Sequence, residues 1–282
     1  MMNIGIRLHD TKVGTLRQRL AYAREQGFSC AHLAMSKAVD GFSMADAPSL
    51  LTDELALDVR AAFAEQQMDC AVLGCYLNLT DPDEESYQRT RKIYKAHFRF
   101  APLMGAAVVG SETAPAKGCI FADPAPVSEE AFQLFLRRLA PMVRDAEEAG
   151  AIFAIEPVFC HIVSTPERAE RMLDAAKSDS LRIILDAVNL LGPDTANDAD
   201  AIIADAIRRL DGKISVLHMK DYLPIQPGDQ RLESVACGLG CMQYEALLSY
   251  GRKRDLPMTL ENTVPDNAEK ARLYLENIAA KL

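Results

Sequence analysis

Four short apolar runs in the second half of the chain each end in a side chain able to hold a metal or carry a proton. IFAIE ends at Glu156, RIILD at Asp186, ISVLH at His218 and PMTLE at Glu261. A lone carboxylate in such a place is as often a helix cap or a loop anchor. With 40 acidic residues and 5 histidines among 282, four such endings by coincidence come to roughly one in a thousand. Three carboxylates and an imidazole make a hard, oxygen-rich donor set, suited to Mn²⁺, Mg²⁺ or Co²⁺ better than a Cys/His-rich structural zinc site. Gathered in a pocket of low dielectric the carboxylates would repel one another, and a divalent cation removes that cost. The set therefore predicts one bound divalent metal ion.

Such residues act together only if the fold brings them together. Short apolar runs alternate with longer segments of helical period along the whole chain. Strands are expected over 3–8, 28–35, 69–79, 106–109, 152–155, 181–185, 214–217 and 258–260. Helices are expected over 15–26, 52–67, 82–104, 128–148, 198–210, 244–254 and 266–280, with another opened by Thr165 as cap and Pro166 behind it. The strands read as continuous apolar runs, as they do when both faces are buried. Eight β-then-α units without a linker predict one α/β domain over 1–282, a single (β/α)₈ TIM barrel, in which catalytic groups collect at the C-terminal ends of the strands. An open doubly wound sheet is the competing architecture, but no Gly-x-Gly-x-x-Gly follows the first strand. The segments 114–127 and 222–240 are long for connections and read as walls or lids over a site.

Composition narrows the class of protein. Hydrophobic residues make up 49% and charged residues 25% of the chain, enough for one globular core. A net charge of −9 opposes a nucleic-acid partner, which needs a basic face. No apolar stretch approaches the ~20 residues that span a bilayer, and the opening MMNIGIRLHD lacks a signal-peptide pattern, so a cytoplasmic protein without a membrane partner is expected. Seven cysteines without CxxC spacing read as small buried residues in a reducing compartment.

The strand ends also carry a resemblance. AIEPV at Glu156, ILDAVN at Asp186, VLHMKD at His218 and TLEN at Glu261 resemble the metal-binding strand ends of the xylose isomerase-like barrel superfamily, over essentially the whole chain. That group includes sugar isomerases, ketose 3-epimerases, inosose dehydratase and endonuclease IV. In the ketose epimerase branch the four matching residues hold one metal, usually Mn²⁺ or Co²⁺, and the two glutamates are the acid–base pair. The resemblance thus implies that Glu156 and Glu261 are ligands and proton carriers, that Mn²⁺ is the first metal to expect and Zn²⁺ less so, and that the substrate is a small sugar or polyol derivative. It also implies a homodimer or homotetramer. A cation on a carbonyl and its neighbouring hydroxyl stabilises an ene-diolate and acidifies the adjacent C–H. Two carboxylates flanking that carbon can then take a proton from one face and return one to the other.

Further residues are expected around the pocket. Asn189 follows Asp186 where ketose epimerases commonly have a substrate-binding His, and His32 stands where the superfamily often has a strand-two glutamate; both departures point away from a plain ketohexose. Asn189 is a candidate substrate-binding residue, as are His161, Lys220, Glu112, Arg231 and Asn78, these five each with a structural alternative, and His9 is a further wall residue. Tyr76 or Phe159 must supply any sugar stacking, since the chain has no Trp. Gly238 and Gly240 resemble the family's bend before its seventh helix, and His97 is expected on a helix surface. An inosose dehydratase-like lyase shares the ene-diolate and is the main alternative. An endonuclease IV-like nuclease would need more histidines and a basic face, and a barrel that binds metal without catalysis would lack activity.

Overall fold

The computed structural model describes residues 2–113 and 128–282. The long segment expected at 114–127 lies outside the described residues. The eight expected strands are Ile4–Arg7, Cys30–Leu33, Asp69–Gly74, Ala106–Glu112, Phe153–Glu156, Leu181–Asp186, Ile214–Met219 and Met258–Leu260, here called strands one to eight. Neighbouring strands run parallel, and strand one pairs with both strand two and strand eight, closing a single (β/α)₈ barrel. Helices cover it outside, and side-chain oxygens start several of them: Thr52, Asp83, Ser128 and Thr165 each accept a backbone N–H from the first turn.

The barrel explains how the polar layer arises. Side chains two apart on a strand share a face. Cys30, Val72, Val108, Ala154, Ile184 and Val216 form one small apolar cluster, apart from the larger core between strands and helices. Two residues beyond four of them stand His32, Glu156, Asp186 and His218, so the strands that fill the barrel interior carry a polar layer toward its C-terminal mouth.

Three expectations need correcting. Strand three stops at Gly74 and does not run to residue 79; the chain leaves the sheet and carries Tyr76 to the mouth. Strand four is longer than expected and reaches Glu112, which pairs in register with Glu156. His97 is fully buried, not at a surface. Its helix, Glu84–Met104, packs against strand four and the helices Asp53–Glu65 and Glu129–Ala149, so several of its faces are covered. Its Nδ1 lies 2.9 Å from the Ile93 carbonyl oxygen, and burial lowers its pKa to about 4. Short helices at Met35–Ala38 and Ala47–Leu50 and an antiparallel ribbon, Asp221–Tyr222 with Ser234–Val235, were not foreseen. Among the described cysteines five are buried, Cys241 is exposed, and none forms a disulfide. No helix among the described residues is long and apolar enough to cross a membrane.

Candidate metal and proton-transfer site

Glu156, Asp186 and His218 lie on strands five, six and seven and Glu261 directly follows strand eight, and these four strands are neighbours in the barrel. All four are buried. His218 is the hub: its Nδ1 lies 3.1 Å from Glu156 Oε2 and 3.3 Å from Glu261 Oε1. One ligand atom each of Glu156, Asp186 and His218 lies within 4.8 Å of the others. Asp186 Oδ2 and both His218 nitrogens are buried without an aligned hydrogen bond. Hard oxygen donors and an imidazole converging in a buried place fit a divalent cation.

Two neighbours tighten the centre. Lys220, inward-facing like His218 two residues before it, places Nζ 2.9 Å from Asp186 Oδ2 and 3.4 Å from Glu261 Oε2. Its ammonium also donates to Asn189 Oδ1 at 2.6 Å, while Asn189 Nδ2 donates to Glu156 Oε1 at 2.5 Å. The Asn189 backbone N–H donates to Asp186 Oδ1 at 2.9 Å. Asn189 is therefore turned into the centre, joining two carboxylates and the ammonium.

The charges disturb one another. Burial lowers the His218 pKa, but Glu156 and Glu261 outweigh it and push the imidazole up to about 9. Burial raises Asp186 to about 6, with Lys220 pulling the other way. Burial would also raise Glu261, yet His218, Lys220 and Arg7 hold its carboxyl well below the usual range. Such opposed environments are how acid and base roles are separated in one pocket.

The centre opens into a cavity of about 1050 Å³. Glu112 and His161 share one wall, with His161 Nδ1 3.8 Å from Glu112 Oε2. Burial, helped by Glu156 and Glu261, raises Glu112 to about 8, and burial lowers His161 to about 4. Arg231 lines the cavity from the turn of the ribbon, and His9, Tyr76 and Phe159 line it too. Asn78 is not brought to the site: it is exposed, and its Oδ1 accepts from Thr80 N and Oγ1 in a local turn. Asp221 points away into the ribbon, accepting from Tyr222, Gly238 and Met242 backbone N–H groups.

Sequence reasoning missed Arg7. It ends strand one in the cavity, 3.5 Å from Glu261 and 2.9 Å from Asp10, which also accepts a hydrogen bond from Thr263 at 3.3 Å. Its signal is in the sequence: IGIR is an apolar run ending in a charged side chain, like the four later ones, but that side chain is a cation and not a metal ligand.

Fold and site together define a (β/α)₈ barrel with a carboxylate–imidazole centre at the C-terminal mouth. Residues 20–279 match the family described as the xylose isomerase-like TIM barrel, and the chain belongs to that family. No curated protein matches the sequence. Similar solved structures include an apo 3-keto-D-glucoside 4-epimerase from E. coli, with TM-score 0.76 and 17% identity over 98% of this chain and 100% of that one. A probable 3-DHS dehydratase from Bacillus anthracis has TM-score 0.73 and 13% identity over 98% of each chain. The IOLI protein, with a bound zinc atom, has TM-score 0.72 and 18% identity over 99% and 97%. At these identities the likeness speaks to the fold.

Proposed function

We propose that this protein is a divalent-metal-dependent isomerase or epimerase acting on a small sugar or polyol-derived substrate that carries a carbonyl. The observation that carries the reading is the meeting of Glu156, Asp186 and Glu261 around His218, beside a cavity that Glu261 lines and that is large enough for such a molecule. These four would hold the ion, with Mn²⁺ the first to test. When bound, the ion would polarise the carbonyl and its neighbouring hydroxyl and stabilise the charge of an ene-diolate. Glu261, kept anionic by the three cations around it, accepts the proton from the carbon beside the carbonyl. Glu156, oriented by the Asn189 amide, faces the same imidazole from another strand and serves as its partner in proton transfer. Lys220 offers an ammonium to the oxygen on which charge develops. The family membership and the epimerase among the structural neighbours agree with this chemistry.

The test is metal content per chain after purification without chelator, on the wild type, Glu156→Gln and Glu261→Gln, followed by incubation with ketoses and inososes in D₂O. About one ion per chain, reduced in both variants, with deuterium entering a retained carbon skeleton, supports the reading. A wild type that takes up neither Mn²⁺ nor Co²⁺ overturns it. A second reading, elimination of water, is favoured by Glu112: a carboxyl pushed up to about 8 on the cavity wall is protonated at neutral pH and can donate to a departing hydroxyl. Loss of water from the product identifies that outcome.

A further inference from the structure

His32, the last residue but one of strand two, lines the cavity, beside Arg7 and Val72 in register. It is only 3% exposed, yet neither ring nitrogen has a hydrogen-bond partner. A buried structural histidine ordinarily anchors at least one nitrogen, as His97 does on the Ile93 carbonyl. His32 does not, although its ring is held firmly. It lies nearly parallel to Tyr76 at 5.7 Å and 24°, and His9 stands edge-on to it at 6.3 Å. Gly74 leaves room for the arrangement: a Cβ there would come within 2.7 Å of His32 Nε2 and 3.0 Å of the Tyr76 ring.

The His32 and His218 rings are also nearly parallel, 19° apart, with centroids 5.4 Å from each other. That distance is too long for a face-to-face sandwich, so the rings are displaced sideways and nitrogens of both border the same space. One ligand atom each of His32, His218 and Glu261 lies within 4.8 Å of the others. His218 is common to this group and to the group with Glu156 and Asp186. The donors thus extend across the mouth from strand six to strand two.

We propose that His32 is a ligand of the bound cation, so that the centre presents two imidazoles with its carboxylates. The inference rests on the metal reading above and deepens it. A second imidazole in place of another oxygen donor makes the site favour Co²⁺ over Mg²⁺. It also gives a partner to one of the two unpaired nitrogens of a buried imidazole.

The experiment compares metal-stripped wild type with His32→Gln, titrated with Co²⁺ and separately with Mg²⁺. Calorimetry gives the affinities and visible absorption reports the coordination of bound Co²⁺. We expect the variant to lose about tenfold or more in Co²⁺ affinity and to change its Co²⁺ spectrum, while Mg²⁺ affinity stays within about threefold. Unchanged Co²⁺ affinity and spectrum in a folded variant overturn the assignment of His32 and leave the metal centre standing. A wild type that binds no Co²⁺ or Mn²⁺ removes the centre itself. If the Gln variant does not fold, electron spin-echo spectra of wild type loaded with Mn²⁺ decide the matter through the coupled histidine nitrogens: two residues support the proposal and one overturns it.

Discussion

Lys220 brings a full positive charge among the proposed ligands, and its surroundings set the consequence of removing it. The side chain is 6% exposed, Asp186 is fully buried and the Glu261 side chain is 10% exposed. Burial disfavours the ammonium, and Asp186 and Glu261 overcome that and hold its pKa above the ordinary value. Lys220→Met keeps the apolar stem and deletes the charge. Asp186 then loses the ammonium 2.9 Å away, while Glu261 keeps His218 and Arg7, so the metal-free protein should lose about 3 kcal/mol, the usual cost of stranding a buried charge. A divalent ion supplies the missing charge, so Mn²⁺ should restore most of the loss. Urea denaturation with and without Mn²⁺ checks this. An equal loss in both conditions would show that Lys220 contributes packing and not charge balance. Asn189 bonds to both Glu156 and Lys220 and also lines the cavity, so it can hold these two side chains and still meet a substrate.

At the level of elements, the late strands were legible because each is an apolar run interrupted by one side chain that apolar burial cannot explain. Their order in the chain is their order in the barrel, which turns a list of four endings into a neighbourhood. Connections were harder, because their contacts are long-range. Asn78 resembled a wall residue only while strand three was extended through it; one turn beyond Gly74 its amide side chain is spent on Thr80. His97 falls on a helix whose sequence leaves it at a surface, but that helix has neighbours on more than one side. The ribbon after strand seven left almost no periodic trace, since two-residue strands are too short for one. Its organiser is Asp221, whose carboxylate accepts from the N–H groups of Tyr222, Gly238 and Met242 at 2.9, 3.0 and 2.8 Å. Gly240 completes it: a Cβ there would sit 2.1 Å from the Tyr222 carbonyl oxygen and 2.5 Å from Asp221 Oδ1. Asp221→Ala leaves three backbone donors unpaired, so a stability loss of about 3 kcal/mol is expected. Because the ribbon carries Arg231 and Leu232 into the cavity wall, KM should rise with it. A loss below about 1 kcal/mol in denaturant titration would mean that water takes over the three donors.

For the whole molecule, proton binding and metal binding are linked through the same few groups. In the metal-free protein His218 is raised from 6.5 to about 9, with burial opposing and Glu156 and Glu261 driving the shift. A histidine raised on folding stabilises the fold fully below its unfolded pKa, and that stability is lost as pH climbs through the folded value. Glu112, raised from 4.5 to about 8, acts in the same sense: the folded chain holds its proton where the unfolded chain has released it. His9, His97 and His161 are lowered to about 4, so their effect is confined below pH 6.5, where stability rises with pH. Glu261, lowered on folding, likewise acts only on the acid side. Between pH 6.5 and 9 the balance has one sign, and metal-free stability should fall by about 1 kcal/mol per pH unit for each proton the folded state retains. A cation engages the His218 lone pair and neutralises the carboxylates that raise His218 and help to raise Glu112, so the metal-loaded protein should lose the His218 share of this slope, keep the share that burial gives Glu112, and release protons on loading. Thermal denaturation across pH 6.5–9, with and without Mn²⁺, separates the cases. Parallel curves would place the bound ion away from His218, whereas curves that diverge as pH rises tie ion, imidazole and carboxylates into one centre.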